Sequence, residues 1–234
     1  TVSEKGKCLV ECPHYPWPDT ARGTVHLGHS LTETDFEIAA PKGANSARVN
    51  VIGVVENQAP TQALVRDLPV DNGLIEGQDD TFQIALVERH RATGGVVNGF
   101  VSGFGYTGRM ARASTEAHDS HHMIVVGTDR AQMALAANRL AEVGGGITVF
   151  KDDVELALVE LPIAGLMSDS PAQEVAAKAQ AMMKAMQTCG CTLNNAYMQH
   201  SLLALVVIPE LRISDLGLVD VTRFEKINLI RTDR

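Results

Sequence analysis

Apolar residues recur along this chain in two rhythms. Ala47-Arg48-Val49-Asn50-Val51-Ile52-Gly53-Val54-Val55 opens with strict alternation, and Phe82-Gln83-Ile84-Ala85-Leu86-Val87-Glu88 is rich in β-branched residues. Both predict strands, with Asp71-Asn72-Gly73 marking a turn between them. Met123-Ile124-Val125-Val126-Gly127 predicts a third. The period then lengthens: Thr128 or Asp129 is placed to cap a helix over Met133, Leu135, Ala136, Leu140 and Val143, which Gly144-Gly145-Gly146 ends. Ile147–Phe150 and Val154–Val159, joined at Asp152-Asp153, predict a hairpin. Ser170-Pro171 opens a second helix, with Pro171 at its first position, Glu174 closing a capping box, and Met182, Met183 and Met186 as core filler.

Other stretches are less regular. The first forty residues are rich in Pro and His (Pro13, His14, Pro16, Pro18, His26, His29), which fits an extended segment. Thr24–Leu27 predicts a short strand, and Ser30–Phe36 a helical turn capped by Thr32. Gly94-Gly95, Gly99, Gly103, Gly105 and Gly108 spell no phosphate loop or dinucleotide fingerprint and are read as tight turns and close packing. Leu161–Ser168 reads as a buried loop, Ser214–Gly217 as a turn and Ile227–Ile230 as a short final strand or tail. The fold class expected is α+β: a mixed β-sheet with helices packed on it, preceded by a short β segment.

Composition narrows the function classes. With 234 residues there is length for a real core, and the net charge of −8 argues against a nucleic-acid or anionic-membrane surface. No apolar run is long enough to span a bilayer, and no signal peptide is visible, so a cytoplasmic location is expected. Cys8, Cys12, Cys189 and Cys191 lack C-x-x-C spacing and are expected to be reduced thiols. The chain opens on Thr1-Val2-Ser3-Glu4 without an initiating Met, as a trimmed product or a piece of a longer polypeptide would.

Candidate chemistry concentrates in Ala117-His118-Asp119-Ser120-His121-His122, three imidazoles and a carboxylate beside an apolar strand. Such groups are costly there unless they bind something or one another, and they are the usual ligands and proton carriers of hydrolytic sites. Strand alternation would put His118, Ser120 and His122 on one face, whereas a loop would let His118, Asp119 and His121 converge. Glu88-Arg89-His90-Arg91 and Ser114-Thr115-Glu116 could add a carboxylate, a cation or a hydroxyl. No nucleophile elbow is present, and the cluster by itself does not complete a metal site of three ligands and a base.

Several strings occur in a telling order: Val87-Glu88-Arg89-His90, Gly99-Phe100-Val101-Ser102-Gly103-Phe104-Gly105, Ala113-Ser114-Thr115-Glu116-Ala117-His118-Asp119-Ser120-His121, Leu161-Pro162-Ile163-Ala164-Gly165-Leu166-Met167-Ser168 and Leu205-Val206-Val207-Ile208-Pro209-Glu210-Leu211. Together they resemble the C-terminal region of bacterial adenine deaminase, in the amidohydrolase superfamily, from about Gly23 to Ile230. That family deaminates adenine to hypoxanthine with a metal-activated water, on metals held in a (β/α)₈ barrel. The barrel is absent from this sequence, so the resemblance implies a downstream portion or the small subunit of a split enzyme.

The resemblance divides the chain into residues 1–40, an extended or β segment of the domain flanking the barrel, and residues 41–234, the C-terminal α+β domain. It assigns catalytic roles to His118, Asp119 and His121, and substrate contacts to Ser120, Ser114, Glu88 and His90. It assigns no metal ligand here: a divalent metal (Mn, Fe or Zn) is expected on the barrel. The partners implied are that barrel, further subunits of a homo- or hetero-oligomer and a purine-like small molecule, with no nucleic acid and no membrane. Two departures stand out: His122 replaces an expected Asn, and Gly108-Arg109-Met110-Ala111-Arg112 is more basic than expected, which would suit a ligand with an anionic group. The alternative is a non-catalytic ligand-binding or oligomerisation module that kept the fold.

Overall fold

The computed structural model describes residues 1–10 and 15–232, so Cys12, Pro13 and His14 lie outside the described residues. The alternating runs become strands because one pleat face can be buried at a time, and here helices or loops cover both faces of one large sheet. A small hairpin comes first, β1 (Ser3–Glu4) with β2 (Lys7–Cys8). The strands of the large sheet follow: β3 (Ser46–Gly53), β4 (Gln62–Asp71), β5 (Leu74–Ile75), β6 (Thr81–Val87), β7 (Val96–Ser102), β8 (Met110–Ser114) and β9 (Met123–Gly127). After α1 (Arg130–Glu142), the hairpin β10 (Gly146–Lys151) and β11 (Val154–Glu160) completes it.

The sheet has nine strands in the order β11-β10-β8-β9-β6-β7-β3-β4-β5. Every pairing is antiparallel except β3 with β7, where Ile52 lies opposite Val101 in parallel. A bulge interrupts the β10–β11 register between Val149 and Phe150. Helices α2 (Ala172–Thr188) and α3 (Ala196–Ser201) follow, then a three-stranded sheet of β12 (Leu211–Ser214), β13 (Gly217–Asp220) and β14 (Glu225–Ile227). The α+β class is as expected.

Two apolar clusters sandwich the sheet. One joins Ile84, Leu86, Ile124, Val126 and Val149 to Met182 and Met186 of α2 and to Ile213 and Leu218 of the small sheet. The other joins Ala85, Val87, Ala113, Met123 and Val125 to Met133, Ala136, Ala137 and Leu140 of α1, with Leu31 and Phe36 of the N-terminal segment. Methionine is core filler in α2, as read.

Local signals decide most element ends. Asp129 caps α1 by accepting from the Gln132 amide at 3.0 Å, and Thr32 with Asp35 forms a capping box on the turn Glu33–Phe36. Four expectations need correction. Thr24–Leu27 is not a strand: the Thr24 carbonyl accepts from the Arg89 side chain, and His26 makes a backbone bond to the Arg89 carbonyl. Pro171 is itself the cap residue of α2, at ψ 142°, and no side chain caps the helix, so the expected capping box does not form. Gly99 sits inside strand β7 rather than at a turn, in the close packing expected of it: a Cβ there would touch Leu218 of the small sheet at 3.4 Å. The final strand is Glu225–Ile227, with Ile230 in an isolated bridge to Val49.

Phe36 is fully buried, and its carbonyl accepts from the buried Gln83 side chain. Phe36→Ala is expected to destabilise the protein by about 3–5 kcal/mol in urea unfolding, the cost of a large cavity under α1.

Candidate functional site

The site lies where three turns meet at one end of the large sheet: Glu88–Gly95 after β6, Ala117–His122 before β9, and Ser214–Gly217 between β12 and β13. Arg89 organises it. Its guanidinium is 1% exposed and donates to three backbone carbonyls: Nε to His121 at 2.5 Å, Nη1 to Thr24 at 3.2 Å and Nη2 to Ala164 at 3.2 Å. Burial brings its pKa down to about 10, countered by Glu88, so it remains protonated at neutral pH. Gly165 crosses the guanidinium so closely, at φ +71°, that a Cβ would lie 2.8 Å from Nη1. Thr115 completes the join, donating to the Gly165 carbonyl at 2.6 Å and accepting from the Gly146 amide at 2.8 Å.

Glu88 is spent on its own turn. Its carboxylate accepts from the amides of His90, Arg91 and Thr93 and from the Thr93 hydroxyl. Burial opposes ionisation, but these donors outweigh it and hold the pKa at about 2. His90 then reaches across, its Nε2 2.9 Å from the Ser120 carbonyl. Ser114 is fully buried and exchanges hydrogen bonds with the Glu116 backbone, its hydroxyl accepting at 3.0 Å and donating at 3.1 Å.

The segment 117–122 is a loop and not a strand, so the convergent arrangement holds for two of its imidazoles. His118 and His121 meet edge to face, ring centroids 5.3 Å apart, and His118 Nε2 lies 3.7 Å from Glu116 Oε1. Asp119 and Ser120 project into solvent at the tip. His121 takes φ +52°, a left-handed conformation tethered through the carbonyl that Arg89 holds and the bond from its amide to Ala117. Burial, then His118, pushes the His121 pKa below its ordinary value, so this ring is neutral at neutral pH.

The third imidazole goes elsewhere. His122 packs against His90, centroids 4.8 Å apart, and its Nε2 lies 3.7 Å from Asp215 Oδ2. Neither His122 nor Asp215 carried a predicted role. Together with Glu88, Arg91 and Leu86 they line a cavity of about 570 Å³. A cavity of about 660 Å³ at the opposite end of the sheet, lined by Glu33, Glu37, Glu76 and Arg130, contains none of the imidazoles. The two notable arginines also lie elsewhere: Arg109 pairs on the surface with Asp129 at 3.0 Å, and Arg112 is fully buried against Tyr197. They do not make the His cluster an anion site, which corrects that expectation.

Among the described residues, no three His, Cys, Asp or Glu side chains are set to hold a metal ion, so the donor set here does not fit one. Cys8, Cys189 and Cys191 are free thiols, the last two buried. No helix of the described residues is long and apolar enough to cross a membrane.

Residues 58–225 match the adenine deaminase C-terminal domain. The chain belongs to that family. It is 78% identical over 232 residues to an adenine deaminase of Ruegeria pomeroyi, 62% over 230 to one of Mesorhizobium japonicum and 44% over 231 to one of Moorella thermoacetica. These alignments cover 97–98% of this chain but only 38–39% of each relative. The chain is thus under two-fifths as long as the adenine deaminases it matches and corresponds to their C-terminal part. Three of the strings that carry the family resemblance, Val87–His90, Ala113–His121 and Leu161–Ser168, meet in the fold at Arg89.

The Glu88 pKa of about 2 lies below the ordinary 4.5, so the ionised carboxylate stabilises the fold fully above about pH 4.5 and the contribution is lost as pH falls through about 2. Glu88→Gln is expected to lower unfolding stability by about 1–3 kcal/mol at pH 7. The gap to wild type should close when urea melts are repeated at successively lower pH below 4.5.

Proposed function

We propose that this chain is the C-terminal portion or small subunit of an adenine-deaminase-type amidohydrolase that converts adenine or a related purine-like ring, with water, to the oxo-ring and ammonia. The observation that carries the reading is the loop 116–121, which exposes the Asp119 carboxylate and the Ser120 hydroxyl beside the half-buried His118 and His121, in a chain 78% identical to an adenine deaminase. The barrel, with its divalent metal (Mn, Fe or Zn), belongs to an amino-terminal portion or a separate chain. Residues 1–40 would lead from the domain flanking that barrel.

In this arrangement the loop closes over the purine and excludes water. His118, with Glu116 beside it, and Asp119 exchange protons with the ring or the departing ammonia; His121, neutral, is able to accept one. Ser120 contacts the substrate. Glu88, His90 and Ser114 hold the loop in place through the bonds already described. The reduced thiols suit the cytoplasm, and assembly with further subunits would complete the enzyme.

Ammonia release from adenine, measured on this chain alone and on the complete protein with its amino-terminal portion, tests the reading. The expected result is no turnover by the chain alone, turnover by the complete protein, and at least about a 10-fold drop in kcat for His118→Ala and Asp119→Asn. Activity of the isolated chain, or full activity in both variants, would reject it; the second result would favour a non-catalytic module.

A further inference from the structure

Residues 21–29 cross the site as an irregular strap, and none of them is buried. Polar bonds hold the strap down. The Arg89 side chain donates to the Thr24 carbonyl at 3.2 Å, and the His26 amide donates to the Arg89 carbonyl at 2.8 Å. At the upstream end the Ala164 amide donates to the Ala21 carbonyl at 2.6 Å, and Arg22 meets Asp169 at 2.7 Å. That ion pair is open to solvent and adds little. At the downstream end Gly28 lies against the turn after β6, where a Cβ would come within 2.5 Å of the Gly94 nitrogen.

The stretch that follows is rooted differently. Leu31 and Phe36 are buried in the cluster shared with α1, and Asn138 of α1 bonds both the amide and the carbonyl of Leu31, at 2.9 and 2.8 Å. The segment thus has a firm apolar root and a polar half in front of it. The polar half is the one able to lift, because its opening uncovers little apolar surface. Ahead of it, residues 1–10 and 15–20 are exposed throughout. In the adenine deaminase of Ruegeria pomeroyi, 62% of the chain lies outside the matched region. Any contact made by residues 1–20 therefore acts on the strap before it reaches the sheet.

Lifting the strap undoes the setting of Arg89. The guanidinium, now 1% exposed, would lose the Thr24 carbonyl and meet water. Its bond from Nε to the His121 carbonyl, 2.5 Å, is strong in dry surroundings and weakens once water competes. His121 holds φ +52°, a conformation that a residue with a side chain keeps only while its surroundings impose it. The His118 ring rests on that of His121, so both imidazoles depend on the same tether.

We propose that residues 21–29 are a conformational strap controlling the histidine loop: seated on Arg89 they hold His118 and His121 in the arrangement described, and lifted they release it. The link runs from the amino-terminal side through Thr24 and Arg89 to the His121 carbonyl. It concerns the order of the loop and goes beyond the question of what the loop acts on.

Native-state hydrogen exchange, resolved to single amides on the complete protein with its amino-terminal portion, tests the link. If every lifting of the strap frees the loop, the His121 amide, bonded to Ala117, is protected no more strongly than the His26 amide, bonded to Arg89. His26→Pro removes that second bond, and Gly28→Val forces the strap off the Gly94 turn. In both variants residues 117–122 are expected to exchange at least about 10-fold faster than in wild type, with α1 and β9 unchanged. A His121 amide better protected than the His26 amide in wild type would overturn the inference. So would unchanged exchange of 117–122 in a variant whose residues 21–29 exchange faster. Where a variant fails to fold, the wild-type comparison decides. Turnover plays no part in the readout, so the result is independent of the deaminase reading.

Discussion

One buried guanidinium joins three segments of this fold that no strand ladder joins. Arg89 lies in the turn just after strand β6, yet its donors close on carbonyls of the N-terminal segment, the histidine loop and the loop Leu161–Ser168. A buried cation without a carboxylate partner carries a large desolvation cost. Three carbonyl dipoles offset it, and they can do so only while all three segments stay in place. The cost therefore makes the three loops one cooperative unit. It also explains residues that otherwise look incidental: Gly165 must lack a side chain for Arg89 to fit, and Thr115 ties the same loop to the start of β10.

From that node the chemistry divides into two neighbouring halves. One is the exposed loop, in which His118 and His121 share an edge-to-face contact beside Glu116. The other is the recessed pair His122 and Asp215. His90 touches both, bonding to the Ser120 carbonyl and packing on the His122 ring. A short sequence string thus serves two surfaces, with His121 in the left-handed conformation at the division between them. Such a division lets one rigid base support both a solvent-facing loop and an apolar-walled recess.

How much of this was legible in the sequence depends on the range of the interactions. The Asp129 cap, the Asp152-Asp153 hairpin and the Thr32 turn are set by neighbours a few residues apart, and they read correctly. The strand β4 was not read: most of its residues are exposed or half-buried, so no clean alternation marks it. Strand β8, buried along its whole length, was hidden for the opposite reason. Close packing at Gly99 was legible, but not its partner, because Leu218 is remote in sequence. The His string announced a site, but its division could not be read, since Asp215 reaches His122 from a distant hairpin. Arg89 was grouped with its charged neighbours for the same reason: its partners lie 32, 65 and 75 residues away.

The two borders of the nine-stranded sheet are both blunted. At one, β5 is two residues long and Pro69 sits in the strand beside it. At the other, β11 is kinked against β10 by the bulge at Val149/Phe150, and its acids Glu155 and Glu160 are engaged by Arg139 of α1 and Lys178 of α2. A free strand edge is a template on which another chain can crystallise its backbone, and short, bent or charged borders deny it that template. Each border of the sheet thus offers a neighbouring chain a poorer template than a long, flat, apolar strand would.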